Sequence, residues 1–71
     1  MTLKSLTPQQ LGIFKLMAAN QSTKQCAGEL GISYKTVEYH WAVVKRKLGI
    51  HTQVQAAHLA LHLKIIPNLF D

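Results

Sequence analysis

Four helix start signals divide this chain of 71 residues. At each signal a Ser or Thr precedes residues that favour a helix, and at three of them a Gln follows three positions later, which is the spacing of a capping box. Gly31 and Gly49 are stop signals for the second and third helices, and Pro67 must end the fourth. We predict helices over about residues 8–20, 22–30, 34–48 and 53–66. No strand pattern is present, so the sequence predicts an all-α, four-helix fold in one domain spanning residues 1–71.

Residues 23–42 have the spacing of a helix-turn-helix. Ala27, Gly31 and Val37 occupy the fifth, ninth and fifteenth positions of this segment. At these positions the motif needs a small residue where two helices approach, a glycine with positive φ in the turn, and an apolar residue that packs the second helix on the first. Each position alone is weak evidence, but the set is bounded by two helix caps and is therefore fairly specific.

Short motifs of one known family run through the chain. They are Leu6-Thr7-Pro8, Ser22-Thr23-Lys24-Gln25-Cys26-Ala27, Leu30-Gly31-Ile32-Ser33, Lys35-Thr36-Val37, His40 and Arg46-Lys47-Leu48-Gly49-Ile50. In these motifs the chain resembles the LuxR-type (GerE-like) helix-turn-helix domain of bacterial transcription regulators. The resemblance covers roughly residues 6–66 without a gap. It implies a four-helix fold whose third helix reads DNA and whose fourth helix commonly forms a dimer contact.

The charge balance favours a polyanionic partner. Eight Lys and Arg residues against three acidic residues give a formal net charge of +5 and a pI near 9.7. Such an excess favours nucleic acid first and an anionic membrane surface second, and a merely soluble basic protein is the alternative. No uncharged apolar run approaches the roughly 20 residues of a membrane span. We therefore predict a cytoplasmic protein that binds double-stranded DNA and has no membrane partner.

The predicted third helix has an apolar face and a polar face. Val37, Trp41, Val44 and Leu48 form a narrow stripe at about 100° per residue, which we assign to the core. The other side carries the residues that we predict to meet DNA, although a solvated surface helix would also be charged there. Together with basic residues that flank the stripe or lie on the second helix, the predicted DNA-binding residues are Lys24, Lys35, Thr36, Glu38, Tyr39, Ala42, Lys45, Arg46 and Lys47.

Two of these positions depart from the family pattern. In many members of the family, basic residues at the positions of Glu38 and Ala42 contact bases. Glu38 could accept a hydrogen bond from a cytosine amino group, and Ala42 could contact a thymine methyl group. Equally, Glu38 could pair with Lys35 and read nothing. A third alternative is that Glu38 marks a domain whose DNA binding has weakened in favour of a protein partner.

The predicted fourth helix is apolar on two sides. We assign Val54, Ala57, His58, Leu61 and Ile65 to the intramolecular core. The second stripe, predicted to be a dimer interface because one small domain offers only one core, consists of Ala56, Leu59, Ala60, Leu63 and Ile66. The alternative is that this second stripe covers the C-terminal residues Leu69 and Phe70.

The sequence argues against an enzyme and against a cofactor or metal site. Cys26 is the only cysteine, and the only aspartate is the last residue, so no Ser/His/Asp set is suggested. His58 and His62 are four residues apart and could in principle hold a metal. No carboxylate or cysteine lies near them in the sequence, so we predict no metal ligands there.

Two functions compete at this point. The first is a sequence-specific DNA-binding transcription regulator whose recognition helix, residues 33–48, enters the major groove and which binds a two-fold-related site as a homodimer. The alternative is a stand-alone protein-interaction module that pairs with larger regulator proteins through the fourth helix and modulates them.

Overall fold

The structure is a computed structural model that describes residues 5–63. Four helices follow one another in the order α1 (Pro8–Ala18), α2 (Thr23–Leu30), α3 (Tyr34–Leu48) and α4 (Gln53–His62). The prediction of an all-α, four-helix fold is confirmed. Helix α1 ends two residues before the predicted boundary, and residues 64–66 of the predicted fourth helix lie outside the described residues. Within residues 5–63 no helix is long and apolar enough to cross a membrane.

Polar side chains fix the start of every helix. Thr7, Ser22 and Thr52 each accept a hydrogen bond from the backbone N–H of the Gln three residues later, and each Gln side chain accepts from the N–H of its cap residue. Ser33 accepts from the N–H of Thr36 at the start of α3. Because the first N–H groups of a helix have no partner within the helix, these bonds stabilise the predicted starting points.

Two of the helices end at a glycine with left-handed backbone. Gly31 after α2 and Gly49 after α3 have φ of +66° and +68°, as the stop signals predicted. Asn20, two residues after the end of α1, has φ of +67°. Asparagine is one of the few residue types that adopt this conformation at modest cost, so it turns the chain without a glycine.

The core consists of two clusters that meet at Trp41. The first joins α1, α3 and α4 through Leu6, Phe14, Ala18, Val44, Leu48, Ala56 and Ala60. The second joins α1, α2 and α3 through Ile13, Met17, Cys26 and Val37. Trp41 is partly buried and packs against both clusters. Helix α1 contributes to both clusters and therefore packs against each of the other three helices.

The prediction of which face of α4 lies in the core is wrong. Ala56 and Ala60, predicted as dimer contacts, are completely buried in the first cluster, and Leu59 packs against it. The small alanines meet Ala18 of α1, which lets the two helices approach more closely than large apolar side chains would.

The stripe assigned to the core faces outward instead. Val54 is 64% exposed, His58 is exposed, and Ala57 and Leu61 are partly buried. Of the remaining predicted dimer residues, Leu63 is 44% exposed at the end of α4, and Ile66 lies outside the described residues, as does Ile65 of the predicted core stripe.

One side chain of α4 caps the end of α1. Gln53 Nε2 donates to the backbone oxygen of Met17 at 3.2 Å and to that of Gln21 at 2.8 Å. The last carbonyls of a helix lack partners within the helix. That of Met17 already accepts from the N–H of Asn20, so Gln53 adds a second donor there and ties α4 to α1. The sequence pattern did not predict this contact, because it identifies Gln53 only as the first residue of a helix.

We predict that Gln53→Ala lowers the free energy of unfolding by about 1–2 kcal/mol, because two part-buried hydrogen bonds are lost. Urea denaturation followed by circular dichroism measures the change. Gln9→Ala is the matched control, since Gln9 is an exposed residue of α1. Equal stability of the Gln53 variant and the control would contradict a capping role.

Candidate nucleic-acid interface

The connection between α2 and α3 is a three-residue turn. Gly31 donates its backbone N–H to the carbonyl of Ala27, and Ile32 donates to the same oxygen at 3.1 Å. A Cβ atom at Gly31 would meet nothing within 4 Å, so the positive φ, and not a lack of space, requires the glycine. Ser33 then caps α3. Residues 23–42 therefore form a helix-turn-helix, as the spacing predicted.

The two helices of the motif are held together by the second core cluster. Val37 and Cys26 are completely buried there, with Ala27, Leu30 and Ile32 packed against them. Cys26 Sγ lies 3.4 Å from Met17 Sδ of α1, so the motif also rests on α1. The predicted packing role of Val37 is confirmed. Burial of this side of α3 decides which side remains accessible.

The accessible side of α3 carries two rows of residues, each spaced one helical turn apart. Val37, Val44 and Leu48 are buried on the core side. We call the first exposed row, Tyr34, Glu38, Ala42 and Arg46, the outer row. Beside it lie Lys35 and Tyr39, and Tyr39 is 65% exposed. The structure thus brings together five of the predicted DNA-binding residues: Lys35, Glu38, Tyr39, Ala42 and Arg46.

The remaining predicted residues lie beside this face or have partners of their own. Lys24 is exposed in the first turn of α2. Thr36 is partly buried and its hydroxyl shares a hydrogen bond of 2.7 Å with the hydroxyl of Ser33. The ammonium of Lys45 lies 5.7 Å from the ring centroid of Trp41, a cation–π distance.

Lys47 is engaged within the molecule. Its Nζ donates to the backbone oxygen of Ser5 at 2.7 Å and to Oε1 of Gln10 at 3.0 Å. The amide nitrogen of Gln10, which is buried, donates to Nδ1 of His40 at 3.2 Å. This polar network joins α3 to the start of α1, and it uses the ammonium that was predicted to reach a phosphate.

The network explains a residue that the sequence left as a simple cap. Gln10 belongs to the capping box of α1, where its Oε1 accepts from the N–H of Thr7 at 3.2 Å. A glutamate could fill that capping role, but an ionised carboxylate could not donate to His40. One sequence signal could have indicated the contact with His40. Gln10 carries an amide, which can donate, and the turn of α1 that follows it is apolar.

Glu38 lies next to a residue other than the lysine considered above. Among the residues that the structure describes, the Glu38 carboxylate makes no ion pair with Lys35. Tyr34 precedes it by one turn on the outer row, which makes the two side chains neighbours. As a hydrogen-bond acceptor first and as a negative charge second, the carboxylate raises the pKa of the Tyr34 hydroxyl above its ordinary value.

A basic cleft lies at the end of α3. It is lined by Lys45, Arg46, Gly49, Ile50 and His51. Three of these residues can carry positive charge, and they adjoin the C-terminal end of the outer row. Cations at the C-terminus of a helix also interact favourably with the helix dipole. The arrangement can hold an anionic group such as a phosphate next to the accessible face of α3.

Comparison with known proteins assigns the chain to one family. The model of the family described as "Bacterial regulatory proteins, luxR family" matches residues 4–60. The spore germination protein GerE of Bacillus subtilis is 39% identical over 51 residues, which cover 72% of this chain and 69% of GerE. No solved structure matches the chain at a significant level.

Longer regulators match over a smaller part of their length. The nitrate/nitrite response regulator protein homolog of Haemophilus influenzae is 40% identical over 57 residues, which cover 80% of this chain and 27% of that protein. The glycerol metabolism activator of Pseudomonas putida is 41% identical over 54 residues, which cover 76% of this chain and 24% of the activator. The chain thus spans about a quarter of the length of these two relatives.

The helix-turn-helix of residues 23–42 lies within the matched region, which agrees with the architecture described above. The family is one of regulatory proteins and not of enzymes. The chain belongs to the luxR family of bacterial regulatory proteins, as a four-helix domain that carries a helix-turn-helix.

Proposed function

We propose that this chain is a sequence-specific DNA-binding transcription regulator whose helix α3 enters the major groove. The observation that carries the proposal is the accessible side of α3, which a helix-turn-helix presents with Lys35 and Arg46 exposed. An α-helix is about 10–12 Å in diameter with its side chains, so α3 fits a major groove that is about 12 Å wide. The net charge of +5 favours the same polyanionic partner.

Phosphate contacts would come from the basic residues around α3. Lys24 at the start of α2 and Arg46 at the far end of α3 are separated along the motif, so they can reach opposite walls of the groove. Lys45 and His51 in the basic cleft can add to the contact near Arg46. Lys47 is left out of this set because its ammonium is bound to Ser5 and Gln10.

A homodimer on a two-fold-related DNA site is the second part of the proposal. The exposed stripe of α4 consists of Val54, Ala57, His58 and Leu61. The same four residues line a groove together with Ala18 at the end of α1, Asn20 beyond it and Gln53. In a two-fold contact, the same surface patch of each subunit packs against its copy. Because the exposed stripe lies next to a groove, the stripe of one subunit can fit the groove of the other. Two-fold symmetry of the protein would match a palindromic operator.

A protein-interaction module remains the second candidate, and one observation favours it. Glu38 places a negative charge on the face that would meet DNA. In this candidate the exposed stripe of α4 pairs with a larger regulator instead of a second copy. The relatives of Haemophilus influenzae and Pseudomonas putida are about four times the matched length, so the family includes larger regulators of the kind that this candidate requires.

We predict that the chain binds genomic duplex fragments with a log–log salt slope of about −4.5, as expected if about five phosphates are neutralised. Fluorescence anisotropy at two salt concentrations measures the slope. Arg46→Ala reduces its magnitude by about 1, because one phosphate contact is lost. The matched control is Lys15→Ala, an exposed lysine on α1 outside the helix-turn-helix. Absence of any complex at about 50 mM salt would overturn the proposed function.

We predict that Val54→Glu converts the dimer into a monomer, because it places a charge in the centre of an apolar contact. Sedimentation equilibrium at high micromolar concentration measures the change. Val54 lies in the first turn of α4, where an acidic residue is favourable for the helix, so folding is retained. Leu63→Glu is the control on the opposite side and leaves the dimer intact. A wild-type chain that is strictly monomeric contradicts the homodimer.

A further inference from the structure

We propose that Glu38 selects cytosine in the DNA site and that Tyr34 is the residue that positions its carboxylate. Glu38 would accept a hydrogen bond from the exocyclic amino group of the base, while the Tyr34 hydroxyl donates to the same carboxylate. The inference rests on the proposed function, because it assigns a base preference to the face of α3 that would enter the major groove.

The position of Glu38 makes it a reader of bases and not of phosphates. It lies in the second place of the outer row, flanked one turn away on each side by Tyr34 and Ala42, and all three are exposed. The row starts at Tyr34 beside the core stripe and turns away from it, so that Glu38 lies about 100–120° around α3 from the buried residues Val37 and Val44. A carboxylate is repelled by the phosphates, so the floor of the groove, with its hydrogen-bond donors, is the part of DNA where it has a favourable partner.

Within residues 5–63, no lysine or arginine forms an ion pair with this carboxylate. Lys35 forms no ion pair with it among residues 5–63. The ammonium of Lys45 lies over the ring of Trp41. Arg46 is eight residues further along α3, which is about 12 Å along the helix axis. The negative charge of Glu38 is therefore available to a donor outside the protein.

Tyr34 restricts where that charge is presented. Its ring is 45% exposed in the first turn of α3, four residues before the exposed Glu38, so the two side chains are neighbours on one side of the helix. In agreement with this position, the Glu38 carboxylate raises the pKa of the Tyr34 hydroxyl. A carboxylate has two oxygens and about four acceptor positions, so a bond from Tyr34 leaves one oxygen to accept from a base. Holding the side chain in one place also removes part of the entropy that a free glutamate would lose on binding.

The chemistry of the base edges selects cytosine. In the major groove, guanine presents only hydrogen-bond acceptors, and thymine presents one acceptor and a methyl group. The acceptors of both bases repel a carboxylate. Adenine presents an amino donor next to the N7 acceptor, whereas the amino donor of cytosine has no acceptor beside it on its own base. We expect a preference for cytosine of about tenfold over the other bases at one position of the site.

The test begins with selection of bound sequences from a random duplex library with the wild-type chain. Affinities are then measured for the selected duplex with each of the four bases at every position. Glu38→Ala is expected to lose the cytosine preference at one position and to keep the others. Glu38→Gln is expected to prefer adenine there, because a glutamine amide pairs with the N6 and N7 edge of adenine. Glu38→Gln also strengthens binding to unselected DNA several-fold, since a negative charge is removed.

Tyr34→Phe tests the positioning residue. It keeps the ring and removes the hydroxyl, so we expect the cytosine preference to weaken while the preferred base stays the same. Lys15→Ala is the control, because Lys15 is an exposed residue of α1 outside the helix-turn-helix. An unchanged cytosine preference in Tyr34→Phe, or an equal loss in the control, overturns the role of Tyr34.

A spectroscopic measurement tests the pair without DNA. In a Tyr39→Phe background, ultraviolet titration reports the pKa of the Tyr34 hydroxyl alone, because no other tyrosine is present. Replacement of Glu38 by Gln is expected to lower that pKa, since it removes the negative charge beside the hydroxyl. A pKa that does not change would show that the two side chains are not coupled.

The outcomes separate this inference from the proposed function. A wild-type chain that binds no duplex overturns the proposed function and the base preference with it. Sequence-specific binding that is identical in wild type and Glu38→Ala overturns the base preference alone. A protein partner that is lost in Glu38→Ala, with DNA preference unchanged, would assign Glu38 to the second candidate function instead.

Discussion

The burial of α1 against the other three helices is the constraint on which the rest of the structure depends. Ile13 and Phe14, neighbours in sequence, are completely buried, and each belongs to a different core cluster. One cluster fixes the helix-turn-helix and the other fixes α4, so α1 sets both orientations at once. Trp41 packs against both clusters and links them from the side of α3. A chain of this length buries a limited share of its surface, which makes one shared central helix an economical solution.

This arrangement also determines which residues of α3 are available for recognition. Val37, Val44 and Leu48 are used by the core, and Lys47 is used by its bonds to Ser5 and Gln10. Hydrogen bonds to a charged group are among the stronger ones, so this ammonium contributes to the position of α3 on α1. The outer row remains, with a hydroxyl, a carboxylate, a methyl and a guanidinium group in order along the helix. The polar groups of this row, and not only its positive charge, determine what the proposed interface can bind.

The sequence predicted the helices and the turn well because their causes are local. Capping side chains, a glycine with positive φ and apolar residues at helical spacing act within a few positions of one another. For α4 the same reasoning failed, because the helix has apolar residues on two sides and the local pattern does not show which side packs in the core. Close packing against α1 selected the side with Ala56 and Ala60, and the larger Val54 was left outside. The contacts of Gln53 and Gln10 were also missed, because their partners are 30 or more residues away in sequence.

The sequence by itself determined where the helices begin, the helix-turn-helix and the family to which the chain belongs. It also placed Lys35, Glu38, Ala42 and Arg46 on one side of α3, because a helical period orders side chains without reference to the rest of the fold. Only the tertiary structure decided which side of α4 is exposed and that Lys47 is held by α1. The physical reason is that a repeating pattern gives directions around one helix, whereas distances between side chains and the fit of neighbouring helices exist only in the packed molecule.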